Sequence, residues 1–262
     1  MNELLRAYDD IRGEREVPGA VSVRADGEVV VARFTGGRGF VTHRHEALAG
    51  LGDDEIARLV DRVLTTFVED PDIERVEWKT RAHDPNGDVL ERALTSHGFT
   101  PDEAESVMIG RAGDLAVDVP LPEGVTIRRI HSERDVRAMC AMTDEAFGDP
   151  PSDRIAEALL HRLSLGRDDM EVWVADLDGE LVCGGRLEPV AGSRIAGLWG
   201  GATRGDQRGR GIYRALTAAR ARSAIARGFD YLHSDSTEYS RPILARAGFE
   251  RVTTTTPYEW RR

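Results

Sequence analysis

The chain has 262 residues, of which 40% are hydrophobic and 31% are charged, and its formal net charge is −11. This length allows two compact domains of about 100 to 150 residues each. The acidic balance argues against nucleic-acid binding, which uses clustered positive charge to replace the counterions of the phosphates. Because the chain has no apolar N-terminal run and no membrane-spanning or lipidation signal, we expect a soluble cytoplasmic protein that does not bind membranes.

The first third of the chain repeats, imperfectly, a pattern that returns later. VRADGEVVVARF parallels VADLDGELVCGGRL, and VLERALTSHGF parallels RPILARAGF in its spacing and its Gly-Phe ending. Repetition on this scale implies two fused domains. We expect one domain over residues 1–114, a linker over 115–124, whose prolines favour an extended path, and a second domain over 125–262.

The second domain shows a readable order of strands and helices. The alternating strand VTIRRI precedes two helical patterns, for which Ser132 and Ser152 are the predicted N-terminal caps. A hairpin turning at Asp178-Gly179 and the strand IAGLWGGAT follow. After a glycine-rich turn and a helix come the strand FDYLHSD, a short helix ending at Gly248 and a last strand, RVTTTTPYEW. The sequence predicts an α/β (α+β) fold.

The glycine-rich turn carries the clearest functional signal. RGRGIYRALTAARAR, from Arg208 to Arg222, places Gly209 and Gly211 directly before an amphipathic helix that begins near Ile212. The glycines allow a tight turn, and the helix start directs unpaired N–H groups and the positive end of its dipole into that turn. This arrangement predicts a phosphate or pyrophosphate site.

Two common phosphate loops do not fit. A Walker loop needs Gly-Lys-Ser/Thr, but the only lysine is the distant Lys79. A dinucleotide fold would place the glycines early in a βαβ unit. From Val125 to Trp260 the chain instead resembles the GNAT acetyltransferase superfamily, whose loop reads Gln/Arg-x-x-Gly-x-Gly/Ala. Arg208 and Gly211 match its first and fourth positions, whereas Tyr213 replaces the last small residue, so its side chain must turn away from the cofactor.

The resemblance implies two GNAT-like domains, each with a mixed, mostly antiparallel central sheet flanked by helices. It also implies acetyl-CoA as cosubstrate, without a metal. In the first domain, Asp53, Asp54 and Glu55 stand where a phosphate would lie and would cap the helix themselves. We therefore expect that only the second domain binds the cofactor. The expected cofactor-binding residues are Gly201, Ala202, Thr203, Arg208, Gly209, Arg210, Gly211, Ile212, Tyr213 and Ser240.

Acetyl transfer to an amine requires a group that removes the ammonium proton and a group that protonates the leaving thiolate. Relatives usually have a tyrosine four residues before the terminal Gly of the short helix, but here that residue is Leu244. The substitutes that we consider first are Asp235, on one face of its strand with Tyr231 and His233, and Tyr239 at the entry of the short helix. Glu188 acting through water and Tyr258 are the further catalytic candidates.

Other polar residues have simpler interpretations. His43 and His45 could share one face of a strand, but the sequence shows no third metal ligand near them. Cys140 and Cys183 lack a Cys-x-x-Cys spacing and are expected to be buried free thiols. Asp144 and Glu145 precede the loop between the first two helices, and Asp149 lies in it. These three carboxylates would make an acceptor entrance acidic and favour a cationic amine.

Two functions from different classes remain at this point. One is an acetyl-CoA-dependent N-acetyltransferase that transfers an acetyl group to a primary amine of a small molecule or peptide by direct attack on the thioester. The other is a non-catalytic acyl-CoA binding or sensing protein, which Leu244 and Tyr213 favour. No coiled-coil repeat is visible, and we expect a monomer or small homo-oligomer.

Overall fold

The computed structural model describes residues 2–262, so only the first residue of the expected 1–114 domain lies outside it. The helices are α1 (Glu3–Asp9), α2 (Asp53–Val68), α3 (Gly87–Ser96), α4 (Ala112–Leu115), α5 (Glu133–Phe147), α6 (Arg154–Ser164), α7 (Ile212–Ala226) and α8 (Arg241–Ala247). The strands are β1 (Ser22–Asp26), β2 (Val29–Phe34), β3 (Arg38–His43), β4 (Arg75–Arg81), β5 (Thr100–Pro101), β6 (Glu105–Arg111), β7 (Val125–Ile130), β8 (Glu171–Leu177), β9 (Glu180–Pro189), β10 (Ile195–Thr203), β11 (Tyr231–Ser236) and β12 (Glu250–Arg261).

The chain forms two compact units that are not continuous in sequence. Unit 1 comprises Met1–Met108, Asp235–Ala245 and Glu250–Arg262, and unit 2 comprises Ile109–Ser234 and Arg246–Phe249. This division differs from the linear boundaries expected at residues 114 and 125. The main difference is the last strand of the chain, which the sequence placed in the second domain and which the structure places in unit 1.

Unit 1 has the strand order β1-β2-β3-β4-β12-β6, and β5 pairs with β12. Its first three strands are antiparallel, β3 and β4 are parallel, and β12 is antiparallel to β4, with Tyr258 opposite Trp78. The core contains the apolar residues of α2 and α3 together with those of β2, β3 and β4. The last strand of the chain thus contributes Tyr258 to a core built mostly from the first 100 residues.

Unit 2 has the strand order β11-β10-β9-β8-β7, and β11 belongs to it as far as Ser234. Strands β7 to β10 form an antiparallel meander, and α7 connects β10 to the parallel strand β11. Val172 and Val174 pack in a cluster with α5 and α6, whereas Trp173 and Ala175 pack in a cluster with α7. Because alternate residues of a strand face opposite sides, helices cover both faces of this sheet.

Both units therefore contain an antiparallel meander, of three strands in unit 1 and four in unit 2, followed by a crossover helix and a parallel strand. The mixed, mostly antiparallel fold that the sequence predicted is confirmed. Of the described residues, none belongs to a helix with the length and apolar character needed to span a membrane.

Several local predictions can be compared with the structure. The hairpin between β8 and β9 turns at Asp178 and Gly179, whose φ angles are +52° and +93°, as a two-residue turn requires. Ser132 caps α5 by accepting from the N–H of Asp135 at 3.2 Å. The prediction for Ser152 is wrong by one residue, because Asp153 is the N-cap of α6 and Ser152 Oγ accepts from the N–H of Arg154 instead. Leu115 ends α4, so the irregular part of the linker begins at Ala116.

Candidate active site

The glycine-rich loop of unit 2 joins β10 to α7. A short 3-10 turn spans Gly205–Gln207, and Gly211 is the N-cap of α7. Gly209 and Gly211 have φ angles of +77° and +81°, a left-handed conformation in which any other residue is strained. The two glycines are thus required by the backbone path of the loop.

The start of α7 is open to an anion. No side chain caps it, and its first turn contains no acidic residue. The first N–H groups of a helix carry the positive end of its dipole and need acceptors. In unit 1 the equivalent helix, α2, differs, because its N-cap Gly52 donates its N–H to Glu55 Oε2 at 2.8 Å and because Asp53 and Asp54 lie in its first turn.

Strand β10 bends where it reaches the loop. It pairs with β11 over only three residues, from Ile195 opposite Tyr231 to Gly197 opposite His233. Its register with β9 then shifts between Trp199 and Ala202. Beyond Gly197, β10 and β11 have no further paired residues within the described chain. The backbone of β10 at Gly201, Ala202 and Thr203 is therefore not paired with β11, although the carbonyl of Thr203 accepts from Arg208 Nε.

Tyr213 faces the sheet and not the loop. It packs in the cluster formed by α7 with β8 and β9. The guanidinium carbon of Arg220 lies 5.7 Å from the centroid of its ring. A Cβ atom on Gly201 would come within 2.7 Å of Tyr213 Oη. The large residue at this position is therefore accommodated because the strand opposite it has a glycine.

Arg208 and Arg210 brace the loop. Arg208 donates from Nε to the carbonyl of Thr203 at 3.1 Å and from Nη2 to the carbonyl of Ala146 at 2.7 Å. Arg210 donates from Nη1 to the side-chain oxygen of Gln207. The Arg208 contacts tie the loop to the end of α5, so this arginine orders the backbone that would hold a pyrophosphate.

A cavity of about 700 Å³ lies between the end of α5 and the loop. It is lined by Glu145, Ala146, Phe147, Gly148, Arg204, Gly205, Asp206 and Arg208. Asp144, which was expected in an acidic entrance, is instead buried and accepts from the N–H of Ser152 at 3.0 Å. Of the three acidic residues predicted there, Glu145 is the one that lines this cavity.

Glu188 is a buried anion whose two oxygens are both engaged. It is 6% exposed, and it accepts from Arg162 Nη1 at 2.5 Å and from Arg186 Nε at 2.8 Å. Burial alone would raise the pKa of this carboxyl, but the two guanidinium groups hold the pKa below its ordinary value. These contacts suit an ion pair that holds α6 and β9 better than they suit a proton acceptor.

Asp235 lies in unit 1 and pairs with the only lysine of the chain. Lys79 Nζ is 2.5 Å from Asp235 Oδ2 and 3.5 Å from Glu105 Oε2. Burial alone would lower the pKa of Lys79, but Asp235 and Glu105 raise it above its ordinary value. Sequence reasoning named Asp235 but missed Lys79, because the two residues are 156 positions apart.

The remaining candidates also lie in unit 1, in different environments. Tyr239 is 89% exposed, whereas Tyr258 is 6% exposed and lies in the core. Burial raises the pKa of the Tyr258 phenol. Ser240 accepts from the N–H of Leu244 through its backbone carbonyl, and its hydroxyl lies 3.3 Å from Thr237 Oγ1. Ser240 thus begins α8, and Leu244, in place of the usual tyrosine, is buried.

Comparisons with known proteins identify the fold. No family model matches the sequence, and no curated protein matches it. The solved structure of a GCN5-related N-acetyltransferase from Kribbella flavida has a TM-score of 0.72 and 17% identity, over 99% of this chain and 96% of that chain. A GCN5-related N-acetyltransferase from Sphaerobacter thermophilus has a TM-score of 0.62 and 20% identity, over 92% and 82%.

A tandem GNAT protein from the clavulanic acid biosynthesis pathway is also similar, with a TM-score of 0.61 and 14% identity, over 94% of this chain and 84% of that chain. These structures share with this chain the fold of the GNAT acetyltransferases. At these identities the likeness covers the fold, and the chemistry has to be argued from the residues of this chain.

Proposed function

We propose that this protein is an acetyl-CoA-dependent N-acetyltransferase that transfers the acetyl group to a primary amine of a small molecule or peptide. The observation that carries the proposal is the combination of an uncapped α7, two left-handed glycines before it and a bent β10 whose edge is unpaired. A pyrophosphate at the loop would accept from the N–H groups of α7. The pantetheine arm would run along this edge of β10 at Gly201, Ala202 and Thr203.

In the proposed reaction, the neutral amine nitrogen attacks the thioester carbonyl carbon, and the C–S bond breaks to give the amide and CoA. One proton must leave the substrate ammonium and one must reach the thiolate. We keep Asp235 as the proton acceptor and Tyr239 as the proton donor. Tyr239 is the candidate whose phenol is most exposed, and Asp235 would act from within its ion pair with Lys79.

A substitution tests the proposed role of Tyr239 as the proton donor. Tyr239→Phe removes only the hydroxyl of an exposed side chain, so it should lower kcat while acetyl-CoA binding and the free energy of unfolding stay unchanged. Tyr258→Phe serves as the comparison, since that phenol lies in the core of unit 1. An unchanged kcat in Tyr239→Phe would remove Tyr239 from the mechanism.

A second function has support of its own. Glu188 is held by two arginines and Leu244 replaces the usual acid, which favours a protein that binds acyl-CoA without transferring the acyl group. In this case the cofactor site of unit 2 would remain and turnover would be absent. Binding must therefore be measured before activity.

Calorimetric titration with acetyl-CoA tests whether the protein binds this cofactor, which both functions require. We expect one site per chain, because the start of α2 is already occupied by Glu55. Gly211→Val should abolish binding, since a β-branched residue is strained at φ +81°. Gly205→Ala is the matched control in the same loop, because Gly205 has no positive φ and no atom within 4 Å of an added Cβ.

The outcomes separate the two functions. Binding that is lost in Gly211→Val but kept in Gly205→Ala, followed by release of CoA with an amine, supports the acetyltransferase. The same binding without turnover over a broad amine panel supports the binding protein. No binding by the folded wild-type protein would contradict both.

A further inference from the structure

Three side chains of unit 1 converge at one edge of its sheet. Asp9 is the last residue of α1, His45 follows β3 by two residues, and His83 follows β4 by two residues. One ligand atom from each lies within 4.8 Å of the other two. Because β3 and β4 are parallel neighbours, their carboxyl ends meet at the same edge, and α1 brings the carboxylate to it.

Surrounding groups orient both imidazole rings. His45 Nδ1 donates to Asp84 Oδ1 at 3.0 Å, and His83 Nδ1 lies 2.8 Å from Thr253 Oγ1. The two rings are stacked, with centroids 4.8 Å apart and an angle of 18° between their planes. A carboxylate or hydroxyl on Nδ1 is the usual outer partner of a metal-binding histidine, and it leaves Nε2 as the ligand atom.

The two carboxylates beside these rings, Asp9 and Asp84, share a single arginine, Arg12, so one negative charge is not balanced. Arg12 donates to both oxygens of Asp84, at 2.6 and 2.5 Å, and so neutralises it. Asp9 Oδ1 accepts from His83 Nε2 at 3.0 Å and also lies 3.2 Å from Arg12 Nη1. Asp9 Oδ2 is buried and has no hydrogen-bond partner among the described residues. A buried carboxylate oxygen without a protein partner is satisfied by an ordered water molecule or a bound ion.

We propose that Asp9, His45 and His83 bind a zinc ion, with a water molecule in the fourth position. Two imidazole nitrogens and one carboxylate oxygen are a donor set that suits Zn²⁺ and does not suit Ca²⁺ or Mg²⁺, which prefer oxygen ligands. Tetrahedral zinc places its donors about 3.3 Å apart, so the donor atoms must approach one another and the stacked rings must rotate until both ring planes contain the ion. Glu46, 3.4 Å from His45 Nε2, is 73% exposed and can turn toward solvent.

The bound ion would connect three segments that are far apart in sequence. It would fix the end of α1 to the ends of β3 and β4, which are held otherwise by the contacts of Arg12 and Asp84. Because zinc would bind the folded state and not the dispersed ligands of the unfolded chain, it should raise the Tm. This site is independent of the acetyl-CoA loop, all of whose residues belong to unit 2.

The test uses the full-length protein, freed of metal with a chelator and then titrated with zinc chloride. We expect one zinc per chain, an increase in Tm, and the visible absorption of a tetrahedral site when Co²⁺ replaces zinc. His45→Ala and His83→Ala should each weaken zinc binding at least about tenfold. His161 is an exposed residue of α6, so His161→Ala controls for nonspecific zinc binding by a surface histidine and should leave the titration unchanged.

Asp9→Asn provides a variant that keeps the shape of the side chain if a histidine variant does not fold. It should also lose zinc, since it removes the ligand charge. Failure of the folded wild-type protein to take up stoichiometric zinc would overturn the proposal. Zinc uptake that persists in Asp9→Asn and in both histidine variants would overturn it as well, and would leave a hydrogen-bonded polar cluster as the role of these residues.

Discussion

Lys79 Nζ lies 2.5 Å from Asp235 Oδ2, in an ion pair whose side chains are only 12% and 6% exposed. The only lysine of the chain is thus engaged in a buried ion pair with Asp235, within unit 1. Removing one member of such a pair leaves the other charge without compensation in a region of low dielectric, which costs more than the pair itself contributes.

Lys79→Met should therefore lower the free energy of unfolding by about 3–5 kcal/mol. The substitution keeps most of the volume of the side chain but leaves Asp235 and Glu105 as neighbouring carboxylates. Urea unfolding at neutral pH measures the change. Lys79→Arg keeps the positive charge, so its free energy of unfolding should decrease much less. Equal decreases in the two variants would show that packing, and not charge, stabilises this region.

Glu105 gives the stability of the protein a pH dependence of known sign. Burial raises the pKa of its carboxyl, Lys79 opposes this, and the neighbouring Asp235 adds to it. A folded-state pKa above the unfolded value means that the folded state binds more protons between the two, so stability falls as the pH rises. The pH range over which stability falls begins near the ordinary pKa of about 4.5 and ends at the raised pKa of the folded state.

The free energy of unfolding, measured by urea titration from pH 4 to pH 8, should decline more steeply in the wild-type protein than in Glu105→Gln. The glutamine cannot ionise, so its contribution is constant over this range. The dependence should be small below the pH range in which stability falls, where the carboxyl is protonated in both states. A glutamine variant that follows the wild-type curve throughout would contradict the prediction.

Local structure was predictable from sequence where short-range chemistry decides it. The Asp178-Gly179 hairpin, the Ser132 cap and the two turns through Gly209 and Gly211 each need a residue type that the chain supplies at that position. The fold class followed from the order of these signals.

Long-range pairing was not predictable, because the alternation of a strand indicates which face is buried and not which strand lies beside it. The last strand was assigned to the second domain for this reason, whereas it pairs with β4 in unit 1. For the same reason, the contact between Lys79 and Asp235 could not be predicted. The proximity of Asp9 and His83 to His45 could not be predicted either, and the sequence therefore showed no third ligand for His45.

Glu188→Gln should destabilise the protein by about 3 kcal/mol, because it removes a buried anion that both Arg162 and Arg186 contact and leaves Asp169 as the remaining carboxylate partner of Arg162. The pKa of Glu188 is held below its ordinary value, so its contribution is present above the unfolded pKa and disappears as the pH falls toward the lowered one. The difference between wild type and variant, measured by urea unfolding, should therefore shrink in acid.

Glu180→Gln is the matched control for this measurement. Glu180 begins the same strand and pairs with Arg204, but its side chain is 73% exposed, so the expected loss is at most about 1 kcal/mol. A pH-rate profile of the proposed acetyl transfer adds a second readout. If Glu188 were the proton acceptor, its substitution would remove the rise of activity with pH on the acidic side of the profile, at unchanged acetyl-CoA affinity.

Gly201 and Tyr213 should be coupled energetically. A Cβ atom at Gly201 would approach Tyr213 Oη to 2.7 Å, so Gly201→Ala forces the ring to move and should cost about 1–3 kcal/mol. In a Tyr213→Ala background the same substitution meets no ring and should cost far less, giving a non-zero coupling energy in a double-mutant cycle measured by urea unfolding. If the two substitutions are additive, Tyr213 does not pack on β10 as described. If they are coupled and Gly201→Ala also weakens acetyl-CoA binding more than it weakens the fold, the tyrosine that replaces the small loop residue is what sets the position of β10 beside the cofactor.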